Sequence, residues 1–200
     1  MPVAVTELPP RLDPPRKLWT RSECDALSSS GLLENEELEL IEGELINKMG
    51  KKRPHSISLL LLHEWLLATF GARTVHQETP IDVAPQDNPT NEPEPDLIVL
   101  KRDAAQFINQ NPRPEDLHLV VEVSDTTLGF DLTTKAALYA RAGIVEYWVL
   151  DIAVRRMIVH RDPQGGRYTS VAAYGAEESV APLAAPGSAL RVADAFPAQS

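Results

Sequence analysis

Residues 145–150 read Val-Glu-Tyr-Trp-Val-Leu, an almost continuously apolar run and the pattern of a strand covered on both faces. A chain that carries such a strand must provide a helical layer for each side of its sheet. Two candidates are present. Pro54 opens a strongly apolar segment that runs to Phe70, with proline at a first-turn position where its missing donor costs nothing. Thr126, Thr127 and Asp131 supply start signals for a second helix, in which Leu132, Ala136, Tyr139 and Ala140 recur at helical spacing and Gly143 gives the stop.

The remaining segments fill in an α/β plan with a mixed sheet and extra β-hairpins. Leu38 and Leu40, with Leu45 and Ile46, flank Glu42-Gly43 and predict a hairpin. Arg156–His160 and Arg167–Ala172 flank Gly165-Gly166 and predict another. Short strands are expected over Arg73–Thr79, Ile81–Ala84, Asp96–Leu100 and His118–Val123, and a last short segment near Leu190–Val192. Ser22 is the expected cap of a helix over Glu23–Ser29 that Gly31 stops. Residues 1–17 hold five prolines and read as an extended tail, which leaves 18–200 for one domain.

With 43% hydrophobic and 24% charged residues, the chain can bury a real core. The formal net charge of −10 disfavours a surface that is basic throughout but leaves room for a local groove. A single cysteine, Cys24, excludes an internal disulfide framework and multi-cysteine zinc sites. No apolar signal segment opens the chain, so a reducing cytoplasm is the expected address. The longest apolar run, Ile57–Phe70, is short of the ~20 residues a membrane span needs and carries His63 and Glu64, so no membrane association is expected.

The sequence has no Gly-rich phosphate loop, dinucleotide fingerprint, nucleophile elbow or His-Glu-x-x-His, and its five histidines lack metal-ligand spacing. It does have two acids in telling places. Asp96 heads one apolar strand and Glu122 lies near the end of another, on the same face as Val120. If these strands are antiparallel neighbours, the two carboxylates converge at one rim of the sheet. Like charges so close need a cation, and Mg²⁺, with Mn²⁺ as a substitute, accepts such a pair. The Val123 carbonyl could add a further ligand. Lys135 lies in the first two turns of the following helix and can reach the same rim. Two acids, a hard cation and a lysine make a phosphodiester-hydrolysis constellation.

The ordered set Leu38–Leu45, His55 at a helix start, Pro95-Asp96, Val121–Ser124, Asp131 with Lys135, and Ala142–Trp148 resembles the Uma family, within the PD-(D/E)XK nuclease superfamily. The resemblance spans about residues 36–195. It implies a restriction-endonuclease-like core, with Asp96 as the motif aspartate and Glu122 as the second acid. Ser124 stands where the superfamily has its lysine, and Lys135 takes that part from the next helix. Glu39 would be an additional N-terminal acid, in competition with Glu42 and Glu44, and His55 would face the site.

These readings together predict a Mg²⁺-dependent endonuclease acting on DNA. The superfamily resemblance implies 5′-phosphate and 3′-hydroxyl products. Lys48, Lys51, Lys52 and Arg53 are the expected DNA contacts, with Arg155 and Arg156 as a second cationic pair. The acidic balance calls for a local groove or an oligomer, and a homodimer would put two sites on one duplex. A non-catalytic binding module built on the same fold is the rival reading. A glycoside hydrolase ranks behind both, because only Phe130 and Tyr139 stand near the acids in sequence.

Overall fold

The computed structural model describes residues 15–33, 36–48 and 52–198. Its centre is a six-stranded mixed sheet in the order β3-β4-β5-β6-β7-β8. The strands are β3 (Val75–Gln77), β4 (Leu97–Leu100), β5 (Leu117–Ser124), β6 (Glu146–Asp151), β7 (Arg156–Gln164) and β8 (Arg167–Gly175). All pairings are antiparallel except β5 with β6. That parallel pair requires a crossover, provided by a continuous helical segment: α3 (Leu128–Phe130), a π turn over Asp131–Lys135 and α4 (Ala136–Ala142). Gly143 closes it in the left-handed conformation at φ 79°.

Each sheet face is covered, as the apolar β6 requires. On one side α2 (Arg53–Phe70) places Leu59, Leu62 and Leu66 against Leu97, Val99, Leu119, Val121 and Trp148. The chain's last segment adds Val192, Ala195 and Phe196 to this layer. On the other side Ala136, Tyr139 and Ala140 pack on Ile98, Val120, Tyr147 and Val149. Glu146 heads β6 fully buried, where its carboxylate accepts from Arg161, from the Trp148 indole at 2.9 Å and from the Leu183 N–H at 2.7 Å. That network gives the Glu-Tyr-Trp segment its structural role.

The hairpin β1 (Leu38–Ile41) and β2 (Glu44–Asn47) stands apart from the main sheet, with Ile41 packed on Leu138 of α4. Its turn forces Gly43 to φ 77° with Leu18 stacked directly against it. Val180 of β9 (Ser179–Val180) pairs with Leu190 of β10 (Leu190–Arg191) and joins the α2-side layer.

Three local expectations need correction. Thr20, not Ser22, caps α1 (Arg21–Ser29), through a reciprocal capping box with Glu23. Ile81–Ala84 forms no strand. Pro80 and Pro85 bound the segment, its Ile81 and Asp82 N–H groups donate to the separate carbonyls of Pro93 and Pro112, and Asn88 and Arg21 take up the Val83 N–H and the Ile81 carbonyl, so no ladder forms. Val145 is exposed and precedes β6 rather than opening it. Most of the proline-rich tail lies outside the described residues, as does Lys51.

Candidate active site at the sheet rim

Leu97 pairs with Val121, so the next residues outward, Asp96 and Glu122, meet at the rim. The contact is explicit. The Asp96 N–H donates to Glu122 Oε2 at 3.4 Å, and the Val123 N–H donates to Asp96 Oδ2 at 2.8 Å. Both carboxylates are buried. Alternation along β5 turns Glu122 to the α4 side with Val120. There the Tyr139 hydroxyl donates to Glu122 Oε1 at 3.1 Å.

Lys135 reaches the same point from the π turn. Its Nζ lies 2.9 Å from Glu122 Oε1 and 2.9 Å from Glu39 Oε1. The wider π winding, a frequent device at functional sites, turns both Asp131 and Lys135 inward. Only 4% of Lys135 is exposed, so it is no surface lysine. Of the hairpin's glutamates Glu39 is buried on β1, whereas Glu42 in the turn pairs with Arg141 and Glu44 with Arg16. His55, on the first turn of α2, brings Nε2 to 3.5 Å from Asp96 Oδ2.

These residues line a cavity of about 100 Å³, together with Lys48, Lys52, Asp125, Thr127, Phe130 and Asp131. Asp131 and Tyr139 bear on the site as well, although strand and helix patterning alone assigns neither of them to it. Asp131 precedes Lys135 by four residues, a spacing that places two side chains on one helical face, and that is the one signal the sequence offers. Thr127 donates to Asp131 Oδ2 at 2.7 Å. Lys48 is bound to Glu94 through its carbonyl and its carboxylate, both at 3.1 Å, while Lys52 stands exposed with Asp125 at 3.4 Å. Arg53 is exposed at the start of α2. Arg155 and Arg156 lie elsewhere, engaged with the Pro197 carbonyl and Asp151.

The electrostatics are unbalanced. Four buried carboxylates, from Glu39, Asp96, Glu122 and Asp131, surround one buried ammonium. Burial pushes the Glu122 carboxyl up to about 8; Lys135 opposes the shift, and Asp96, Asp131 and Glu39 add to it. Asp131 is raised for the same first reason. Burial works against the Lys135 charge, but Glu122, Glu39 and Asp131 outweigh it and hold its pKa above the ordinary lysine value. The surrounding acids thus favour the charged form of Lys135.

The oxygens that could hold a cation are those of Asp96 and Glu122, with the Val123 carbonyl as a backbone oxygen beside them. Among the described residues no three His, Cys, Asp or Glu side chains form a ready ligand cluster. One or two carboxylates plus backbone oxygen and water suit Mg²⁺, a hard ion that keeps much of its hydration. The excess negative charge supplies the attraction.

This fold, with its rim of acids and lysine, is that of a nuclease-like α/β domain. A solved structure described as a putative nuclease belonging to DUF820, from Anabaena variabilis, shares it with a TM-score of 0.62. The likeness covers 80% of this chain and 89% of that one at 16% identity. Residues 26–193 match the Uma2 family, described as "Putative restriction endonuclease", and the chain belongs to that family. No curated protein matches it. Among the described residues no helix is long and apolar enough to cross a membrane.

Proposed function

We propose that this protein is a divalent-metal-dependent endonuclease that hydrolyses phosphodiester bonds in DNA. One observation carries the reading: Asp96 and Glu122 are buried side by side at the sheet rim, with the Lys135 ammonium 2.9 Å from Glu122. Membership in a family described as "Putative restriction endonuclease" supports it.

Mg²⁺, or Mn²⁺ in its place, held by Asp96, Glu122 and the Val123 carbonyl, would supply Lewis acidity and a bound water of lowered pKa. The chain's own residues do the rest. Tyr139 and Lys135 fix the Glu122 carboxylate, and the Val123 N–H fixes Asp96, so neither acid must reorganise when substrate arrives. With its Nζ 2.9 Å from both Glu122 and Glu39, Lys135 is placed to act as a charged donor. It orients the attacking water and offsets charge developing on the phosphate. Glu39 holds that ammonium in place, and His55 buttresses Asp96. Lys52, exposed at the cavity mouth, and Lys48, on its wall, are the nearest cations for the DNA backbone.

Supercoiled plasmid in low salt tests the proposal, with purified protein and Mg²⁺, Mn²⁺ or EDTA. Nicking or linearisation that needs the metal and disappears in Asp96→Asn and Lys135→Met is the expected result. Cutting that survives both substitutions would overturn the site assignment. Absence of cutting by the folded protein in every metal, on plasmid and on single-stranded DNA, would return the fold to the role of a binding module.

A further inference from the structure

α2 carries apolar residues on every side, and a helix of that kind normally has no exposed face. Here it has one. His55, Ser58, Leu59, Leu62 and Leu66 are buried against the sheet. On the opposite face Arg53, Ile57, Leu60 and Glu64 follow one another at i, i+4, i+7 and i+11, a single straight stripe. Ile57 is 40% exposed and Leu60 is 52% exposed. Arg53 and Glu64 are exposed too, and neither forms an ion pair or hydrogen bond among the described residues.

The order along this stripe is cation, apolar, apolar, anion, so it is complementary to its own reverse. Laid antiparallel on a second copy, with the two-fold axis between residues 58 and 59, each Arg53 meets the other copy's Glu64 and each Ile57 meets a Leu60. A parallel arrangement would set arginine on arginine and glutamate on glutamate. Half-exposed Leu61 and Leu67 widen the seam. We propose that the protein self-associates as a two-fold homodimer through antiparallel packing of the α2 stripe Arg53, Ile57, Leu60 and Glu64. Arg53 is thereby assigned to self-association rather than to nucleic acid. His55 points from the opposite face, so the pairing leaves the rim site uncovered. Self-association of this kind is independent of the chemistry at the rim.

About three paired helical turns bury less than a standard interface, so the dimer is concentration-dependent. Sedimentation velocity of the full chain across the micromolar range reads it directly, with circular dichroism to confirm the fold of each variant. The wild type is expected to shift from monomer to dimer as concentration rises. Leu60→Asp, at a position already half in water, abolishes the shift. Glu64→Arg weakens association about tenfold by turning two attractive pairs into repulsive ones, and Arg53→Glu with Glu64→Arg restores it. A wild type that stays monomeric throughout overturns the proposal, as does a dimer untouched by Leu60→Asp. Failure of the double charge reversal to rescue Glu64→Arg overturns the antiparallel register.

Discussion

Asp96 Oδ2 accepts the backbone N–H of Val123 at 2.8 Å, so a side chain extends the β4–β5 ladder one step beyond its last backbone pair. The same Asp96 gives its own N–H to Glu122. The acid at the head of β4 is thus part of the sheet's hydrogen bonding as well as of the site.

These two parts can be separated. In Asp96→Asn the amide oxygen still accepts from Val123, so the fold holds while the charge is lost. Asp96→Ala strands a buried N–H and should lower stability by about 1–3 kcal/mol. Chemical denaturation and plasmid cleavage, measured on both variants, should show cleavage lost in each and stability lost only in the second.

Lys135 is the sole buried cation among the described carboxylates of the rim. Lys135→Met keeps the stem and removes the charge. Loss of a preorganised donor of this kind reduces cleavage about 100- to 1,000-fold. Single-turnover rates with enzyme in saturating excess over DNA and with saturating Mg²⁺ check this, since weaker substrate binding alone would leave them unchanged.

Glu122 gives a pH signature in metal-free protein. Its carboxyl ionises near 4.5 when unfolded and near 8 when folded. Between those values the native state keeps a proton that the unfolded chain has lost, so the Glu122 contribution to stability is full below 4.5 and is lost as pH rises through 8. Unfolding free energies from urea titrations near pH 5 and near pH 8 should differ by a few kcal/mol, and Glu122→Gln should remove its share of that slope.

Far from the rim, Arg161 neutralises the fully buried Glu146. Arg161→Ala leaves that carboxylate without its cation and should cost about 3–5 kcal/mol. Calorimetry would register the loss, while cleavage by the folded fraction should match the wild type.

Gly43 holds the turn of the hairpin that delivers Glu39. A Cβ there would sit 2.8 Å from Leu18 Cβ, at a φ of 77° that L residues rarely adopt. Gly43→Ala is expected to cost about 1–3 kcal/mol, measured by thermal unfolding.

Periodicity and turn chemistry, both properties of near neighbours, make most of the element order legible in the sequence. The apolar β6, the Glu42-Gly43 turn, the Pro54 helix start and the Gly143 stop each follow from a few adjacent residues. An acid inside the apolar run of β5 also marks Glu122 as a residue in need of a partner. What these signals do not carry are relations between distant segments. Whether Asp96 meets Glu122 depends on the antiparallel register of β4 on β5, a pairing across 26 residues. Which of the nearby glutamates enters the site depends on how the β1–β2 hairpin docks on α4, and among the described glutamates of residues 36–44 only Glu39 arrives within reach of Lys135. The π turn that points Asp131 and Lys135 inward carries no local marker, and Lys135 taken alone has the pattern of a surface lysine on an amphipathic helix. Local sequence determined which groups were present and on which strand or helix each would ride. Tertiary packing decided which of them share one buried point, because their charges interact strongly only once the fold has removed the water between them.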